Sequence, residues 1–457
     1  MTEKIQALSQ SRLRWVILVL ISAVIGTNYY VYDAMSSIKE LMQIELGFSS
    51  TDYGLIVSFY AFPNTFLLMT VFGGILLDRF GVRKIGFLFT LLCALGALVT
   101  AYGATAYFNQ GGVGYAFLGS FLGQYSPALK MMVLGRLLFG LGAETSLVAI
   151  NKIMVRWFNG KEMAFAFGLN LAVARLGTAA ALIFSPVLIE SHAGWTTALW
   201  VAAILMGVGL LFFILYMITD KKIEQTMDLP PVAAEEAFHM RDIVRLLHNR
   251  PFIYITLLCV TFYAAVFPFQ AYCPDFLHQK FNLSLKLSGM LSSVIIWGTI
   301  LFTPIFGWYV DKKQSYARLM LGGSVLLFVS HLYLALTSFT PFVAMLMLGI
   351  AFSLVPAALW PAVAKLVEER RLGTAYGVMT SIQNLGMFLF PILAGKITDL
   401  KNPDATPEML RQGLVSLDYT WTILMFAALG IAGFVFALLL KSVSHSLDGL
   451  RPAENNG

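Results

Sequence analysis

Apolar runs recur along the whole chain, each interrupted by charged residues or by a Pro or Gly break. A helix needs about 20 predominantly apolar residues to cross the hydrocarbon of a bilayer. Twelve runs meet that length, at approximately 14–33, 52–77, 85–107, 128–157, 163–189, 196–218, 252–278, 287–310, 318–338, 341–367, 373–398 and 419–440. Backbone polar groups find no water in hydrocarbon, so each run is expected to close its hydrogen bonds internally as an α-helix. Alternating barrel-type strands are absent. The pattern therefore predicts an all-α membrane protein of twelve transmembrane helices. One long polar stretch, residues 219–250, falls between the sixth and seventh runs. It divides the chain into an N-terminal six-helix bundle over 1–218, a cytoplasmic linker over 219–250 and a C-terminal six-helix bundle over 251–457. Pro230, Pro231 and the Glu235–Glu236 pair read as loop, and Met240 to Asn249 as a surface amphipathic helix.

The two bundles repeat each other. GLNLAVARLG (168–177) in span five matches GVMTSIQNLG (377–386) in span eleven at an offset of 209 residues, which also places Gly140 on Gly349. GGILLDRFG (73–81) after span two resembles FGWYVDKK (306–313) after span eight at an offset of 233, so Asp311 stands where Asp78 does. The difference between the offsets locates an insertion between spans three and four, where the Gly-rich stretch 101–127 lies. That insertion is expected on the non-cytoplasmic face, outside the twelve-span core. Ordered repeats of this kind are typical of transporters whose substrate sits between two halves.

Composition supports the membrane reading. Hydrophobic residues make up 58% of the chain and charged residues only 12%, against about 25% in soluble domains; mean hydropathy is +0.75. The net charge of +6 resembles a nucleic-acid signal until its distribution is traced. Arg12, Arg14, Arg79, Arg83, Lys84, Lys161, the linker basics, Lys312, Lys313, Arg370, Arg371 and Lys441 fall on one side of the predicted spans. The opposite side holds little beyond Lys39, Lys280, Lys286, Lys401 and Arg411. Basic loops mark the cytoplasmic face, so both termini are expected there and no nucleic-acid partner is implied. The run from Trp15 lacks a small-residue cleavage pattern and is expected to remain as the first span. Cys93, Cys259 and Cys273 have no paired spacing and read as small apolar core residues.

Charges inside the apolar runs carry the sharper signal, because a charge at the bilayer centre costs at least about 2.5–3.5 kcal/mol. Glu144 and Arg175 each lie about 13 residues from the cytoplasmic end of spans four and five, or roughly 20 Å at about 1.5 Å per residue. Two readings stand: a static buried ion pair, or the two ends of a zwitterion site with Glu144 taking an ammonium and Arg175 a carboxylate. Asp33 and Arg136, in spans one and four, read as a structural or gating ion pair. Lys152, Arg156 and Lys365 are near enough to span ends to snorkel. The repeat places Asn384 opposite Arg175 and Ser353 opposite Glu144. Cavity-facing candidates in the second half are Gln383, Asn384, Trp360, Tyr263 and Phe267; Tyr60 and Asn64 of span two join them. His192, His278 and His331 have no metal-ligand spacing and read as accommodated side chains. No catalytic constellation, metal-ligand set or nucleotide-binding loop is present in the sequence, so neither an enzyme, a cofactor nor an ATP-driven pump is expected.

Gly74, Asp78, Arg79, Gly81, Arg83 and Lys84 form a tight loop between two helices, in which Asp78 can cap a helix or pair with a basic neighbour. With twelve spans and a central linker, this resembles the major facilitator superfamily loop signature, which implies cytoplasmic gating by Asp78, Arg79 and the matching Asp311. RLLFGLGAET, WFNGKEMAFAFGLNLAVARLG, FYAAVFPF, ALWP and RLGTAYGVMTSIQNLG resemble one branch of that superfamily, the animal lysosomal dipeptide transporters. The resemblance implies the major facilitator fold and transport of dipeptides by alternating access. It implies that Glu144 and Arg175 hold the peptide termini, with a monomer in the bilayer as the working unit. The short N-terminal tail lacks the acidic dileucine signal of the animal proteins, so a bacterial inner membrane is the expected address, or a lysosomal membrane in a eukaryote. The alternative is a proton-coupled transporter or exporter of another small organic solute. Against it, span five lacks the Gly-Pro motif of drug exporters, and span one lacks E-x-x-E-R.

Overall fold

Hydrocarbon-length apolar runs leave the backbone one economical solution, and in the computed structural model the chain takes it. Nineteen helices and no strand occur among the described residues, which are 2–158, 162–190, 194–224, 240–367 and 372–443. In chain order the helices are α1 (Thr2–Asp33), α2 (Lys39–Leu46), α3 (Ser50–Ser58), α4 (Phe62–Leu67), α5 (Met69–Phe80), α6 (Val82–Gly103), α7 (Ala106–Asn109), α8 (Tyr115–Gly119), α9 (Pro127–Phe158) and α10 (Met163–Glu190). They continue as α11 (Thr197–Glu224), α12 (Met240–Leu247), α13 (Arg250–Phe281), α14 (Leu285–Lys313), α15 (Tyr316–Leu336), α16 (Phe342–Leu366), α17 (Leu372–Lys401), α18 (Pro407–Arg411) and α19 (Thr420–Val443). Lys161, His192, Arg370, Arg371 and the centre of the linker lie outside the described residues.

Among the described residues, eleven helices are long and apolar enough to cross a membrane, where twelve were expected. The missing one is the predicted span 52–77, which is broken into α3, α4 and α5. Pro63, near the start of α4, has no N–H to give the carbonyl four residues back, and its ring crowds that carbonyl. Proline alone does not force the break, since α10, α14 and α17 carry Pro186, Pro304 and Pro391 internally. One turn later Leu68 adopts a left-handed conformation at φ 51° and ends α4 as well. Two interruptions within ten residues divide the span.

By packing, the chain forms two compact units, Met1–Met35 with Met69–Glu235, and Ser36–Leu68 with Glu236–Gly457. The left-handed Leu68 is thus the last residue of a segment that packs with the second unit, although sequence position assigns 36–68 to the first bundle. The reason lies in its partners: α3 and α4 pack along α17, and α2 against α13 and α18. In the first unit α1 packs on α10 and α11, α6 on α9, and α5 on α9. The core between α1, α9, α10 and α11 is built from Ile21, Val24, Ile150, Met154, Phe213 and Tyr216, all essentially buried.

The insertion 101–127 contains the one-turn helices α7 and α8 and no extra span. The second unit joins the corresponding helices α15 and α16 through residues 337–341 alone. The amphipathic segment at the end of the linker is helical, as α12.

Candidate functional site

In the first unit the two mid-span charges are positioned by close helix contacts. Glu144 lies about 21 Å from the Phe158 end of α9, and Arg175 about 18 Å from the Met163 end of α10, counting about 1.5 Å per residue. Both are half-buried. Two residues before Glu144, Gly142 lets α9 approach α6 so closely that a Cβ would overlap the Phe89 carbonyl oxygen. Two residues after Arg175, a Cβ on Gly177 would overlap the Gly26 carbonyl oxygen of α1. Polar bonds set the register of α1 against both helices: Asn28 Nδ2 donates to Ser146 Oγ of α9 (3.2 Å) and Ser22 Oγ to Asn170 Oδ1 of α10 (3.0 Å). Arg175, Glu144 and Asp33 all act electrostatically on the Tyr29 hydroxyl of α1. A cation and an anion at similar depth can receive the two ends of a zwitterion.

Asp33 and Arg136 are both buried. Arg136 donates to the carbonyls of Val31 (3.3 Å) and Tyr32 (3.4 Å), and its guanidinium lies 5.4 Å from the Tyr32 ring centroid. Asp33 Oδ2 accepts from Thr178 Oγ1 at 2.7 Å. Together they fasten the end of α1 to α9 and α10. In the last turn of α5, Asp78 pairs with Lys152 of α9 at 2.5 Å, and the exposed Arg79 packs over Phe80. Lys152, read from sequence as a snorkelling residue, is therefore the partner of Asp78. Asp311, the counterpart of Asp78, is exposed at the end of α14. Asp220 of α11 went unselected by sequence, being assigned to the linker. It is fully buried and receives Arg156 (3.4 Å), Arg83 (3.5 Å) and Trp157 Nε1 (3.2 Å).

The second unit holds the aromatic and amide candidates. Trp360 Nε1 of α16 donates to the Tyr263 hydroxyl of α13 at 3.1 Å, and Tyr263 stacks on Phe267 with centroids 5.7 Å apart. Tyr376 of α17 closes the group by donating to the Trp360 carbonyl at 3.1 Å. Gln383 accepts from Cys259 Sγ at 3.4 Å. Asn384 is 2% exposed; its Nδ2 donates to the Thr380 carbonyl at 3.0 Å, while its Oδ1 is buried without a hydrogen-bond donor. A buried acceptor left in that state costs about 1–3 kcal/mol, which a ligand N–H would relieve. Tyr60 sits half-buried in the turn between α3 and α4, and Asn64 is fully buried on α4. Around them Phe59, Phe62 and Phe66 pack against Phe388 of α17.

A second polar cluster in this unit was not anticipated. Lys39 of α2, with no exposed surface, pairs with Asp275 of α13 at 2.8 Å and with Gln43 Oε1 at 2.7 Å. The Tyr419 hydroxyl also donates to Asp275 Oδ2, and Lys39 lies over the Tyr272 and Tyr419 rings. Beside it His278, read from sequence as merely accommodated, meets Glu40 at 3.2 Å. Glu40 stands outside the spans, and its carboxyl is pushed above the usual range, first by burial and then by the Asp275 charge; His278, Gln279 and Lys39 pull the other way. Nearby, Asp399 of α17 caps α3, accepting from the N–H groups of Ser50 and Thr51 at 2.8 Å each. The signal in sequence was Asp275 itself, an acid beside Pro274 within an apolar run.

Comparison with known proteins places this architecture. Residues 18–391 match the Major Facilitator Superfamily. The chain is 30% identical over 446 residues to the lysosomal dipeptide transporter MFSD1 of Bos taurus, covering 95% of this chain and 87% of that one. To the lysosomal dipeptide transporter MFSD1 of Homo sapiens it is 32% identical over 382 residues, 81% of this chain and 77% of the other. A hexuronate transporter of Bacillus subtilis is 22% identical over 454 residues, 95% and 97% of the two chains. Among solved structures, a bacterial homologue of the human lysosomal transporter Spinster, inward-facing and occupied, superposes with a TM-score of 0.71 at 17% identity, covering 96% of this chain and 99% of that one. The nucleoside transporter NupG gives 0.68 at 16% identity, over 93% and 99%. At such identities the structural likeness establishes the fold, and the sequence match establishes the family. The protein is a multi-pass membrane transporter and not an enzyme; the chain belongs to the Major Facilitator Superfamily.

Proposed function

We propose that the protein carries dipeptides with both termini free, and that the opposite charges Glu144 and Arg175 are the terminus-binding groups. The observation that carries this reading is their placement: half-buried, near mid-helix, on neighbouring helices that both pack against α1. The relatives named as dipeptide transporters, about 30% identical over most of the chain, support the same substrate class. In this reading the peptide ammonium meets the Glu144 carboxylate, and the peptide carboxylate meets the planar donor fork of Arg175. The orphaned Asn384 Oδ1 of the second unit is suited to accept a peptide N–H. Tyr263, Phe267 and Trp360 offer apolar faces that tolerate different side chains, and Gln383, Tyr60 and Asn64 add hydrogen-bonding groups. Broad side-chain tolerance with strict demand for both termini follows.

Transport is by alternating access, with residues 1–218 and 251–457 as the two moving bodies of a monomer. For the first body to move as sequence position groups it, α2 and α3 must leave α13 and α17. The Lys39–Asp275 pair and the Asp399 cap then break, so this cluster acts as a latch. Both termini lie on the cytoplasmic side of a bacterial inner membrane, and that latch faces outward. A thermal-shift screen on purified protein tests the substrate class. Free dipeptides raise Tm, whereas N-acetylated or C-amidated ones do not, because a capped terminus leaves one charge unpaired. Equal stabilisation by free and capped dipeptides, or by organic cations, would remove the zwitterion reading.

A further inference from the structure

The insertion between α6 and α9 is folded, yet its outward face is built of the wrong residues for water. From Ile85 to Leu129 the sequence holds no Asp, Glu, Lys, Arg or His, although this stretch includes the whole connection between two spans. Its inward side is well fastened. Phe108 and Leu118 are buried, Tyr102 packs on Phe108 with centroids 5.3 Å apart and donates to the Val113 carbonyl at 3.2 Å. Lys130, the first charge after the gap, is consumed internally: its Nζ donates to the carbonyls of Leu118 (2.6 Å) and Phe121 and lies over the Phe121 ring. Gly111 and Gly114 take positive φ at the two bends that fold the segment back on itself.

The opposite side presents Val113 at 78% exposure, Phe117 at 71%, Tyr107 at 66% and Leu122 at 56%. A loop facing water in a membrane protein has no use for four large apolar groups held rigidly outward. The same connection in the second unit spans only residues 337–341, so the extra chain is not needed to join the helices. The exposed groups follow directly in the chain from Leu88, Leu95 and Leu98, which are exposed on α6 where a span meets lipid. Aromatic side chains with apolar bodies favour the headgroup boundary of a bilayer.

We infer that residues 104–126 form a foot that lies in the bilayer interface beside α6 and α9, with lipid headgroups and upper acyl chains as its partner. The foot extends the lipid-facing surface sideways at one end of the first unit. It holds that end at fixed depth while the helices move.

Cys93, Cys259 and Cys273 are buried, so a new surface cysteine is labelled selectively. Phe117→Cys and Val113→Cys, each carrying a nitroxide, are reconstituted in phosphatidylcholine–phosphatidylglycerol vesicles, with Asp404→Cys as the water-facing reference. Power-saturation spectra then compare collisions with oxygen and with the nickel complex NiEDDA. The expected result is that oxygen access at 113 and 117 exceeds nickel access several-fold, the reverse of position 404. Nickel access equal to that at 404 would place the foot in water and overturn the inference. Exclusion of both reagents would mean that a protein surface, such as a second copy, covers it, and would overturn it equally.

Discussion

Arg175 and Glu144 stand out in the sequence as candidates, because a formal charge inside an apolar run carries an energetic cost. If Arg175 grips a carboxylate with two parallel N–H donors, Arg175→Lys keeps the charge and loses the fork. Dipeptide affinity is then expected to fall at least about tenfold, equivalent to ~1.4 kcal/mol, with Tm of the ligand-free protein nearly unchanged. A lysine variant that binds as well as the parent would reduce Arg175 to a structural cation. Lys39 and Asp275 were harder to read. Lys39 looks like an ordinary loop lysine, and the acid that buries it stands 236 positions away, a proximity that periodicity and spacing do not encode. The pair makes its own prediction. Lys39→Met leaves Asp275 charged and buried and is expected to destabilise the protein by about 3–5 kcal/mol, whereas Lys39→Met with Asp275→Leu recovers most of that loss. Denaturation of purified protein in detergent measures both; full additivity of the two losses would deny that they interact.

The hydropathy pattern draws eleven of the described spans as they stand because each is continuous; it draws the twelfth, 52–77, as one run as well, because its break depends on backbone conformation. Pro63 hints at an interruption, but only the left-handed Leu68 shows that the segment ends twice. Close helix contacts were likewise hidden, since a glycine in an apolar run looks the same whether or not a backbone presses on it. Gly177 is such a case. Gly177→Ala must push α10 away from the Gly26 carbonyl, carrying Arg175 with it. A cost of about 1–3 kcal/mol in stability is expected, together with weaker dipeptide binding measured by thermal shift, although no ligand-contacting group has changed. The proposed α2–α13 latch carries a pH dependence of its own. Because the Glu40 carboxyl is raised by burial and by Asp275 while latched, the latched form binds the proton more tightly than an opened, solvated form. Acid therefore favours the latch, and its contribution fades as pH rises through the raised value. Accessibility of a labelled cysteine at Gln43 (Gln43→Cys) is expected to increase with pH in this window. Glu40→Gln should flatten that increase, with Asp275, His278, Gln279 and Lys39 unaltered; an unchanged profile would exonerate Glu40.

The duplication and the membrane class are properties of the whole chain and were its plainest message: repeated Gly-spaced segments at a fixed offset, few charges and one polar linker. What lay beyond the sequence was how the chain distributes itself between compact units, since residues 36–68 pack with partners hundreds of positions downstream. The proposed cycle turns on this segment, which belongs to one half by sequence and to the other by packing. All of it rests on the claim that Glu144 and Arg175 receive the two termini of a dipeptide. Uptake of a radiolabelled dipeptide into proteoliposomes, by the parent protein and by Glu144→Gln with Arg175→Leu, tests that claim most directly. Saturable uptake by the parent is expected, competed by free but not by N-acetylated or C-amidated dipeptides. The double variant is expected to elute and melt as a folded protein and to transport nothing. Transport by that variant at the parent's rate, or equal competition by capped peptides, would contradict the claim.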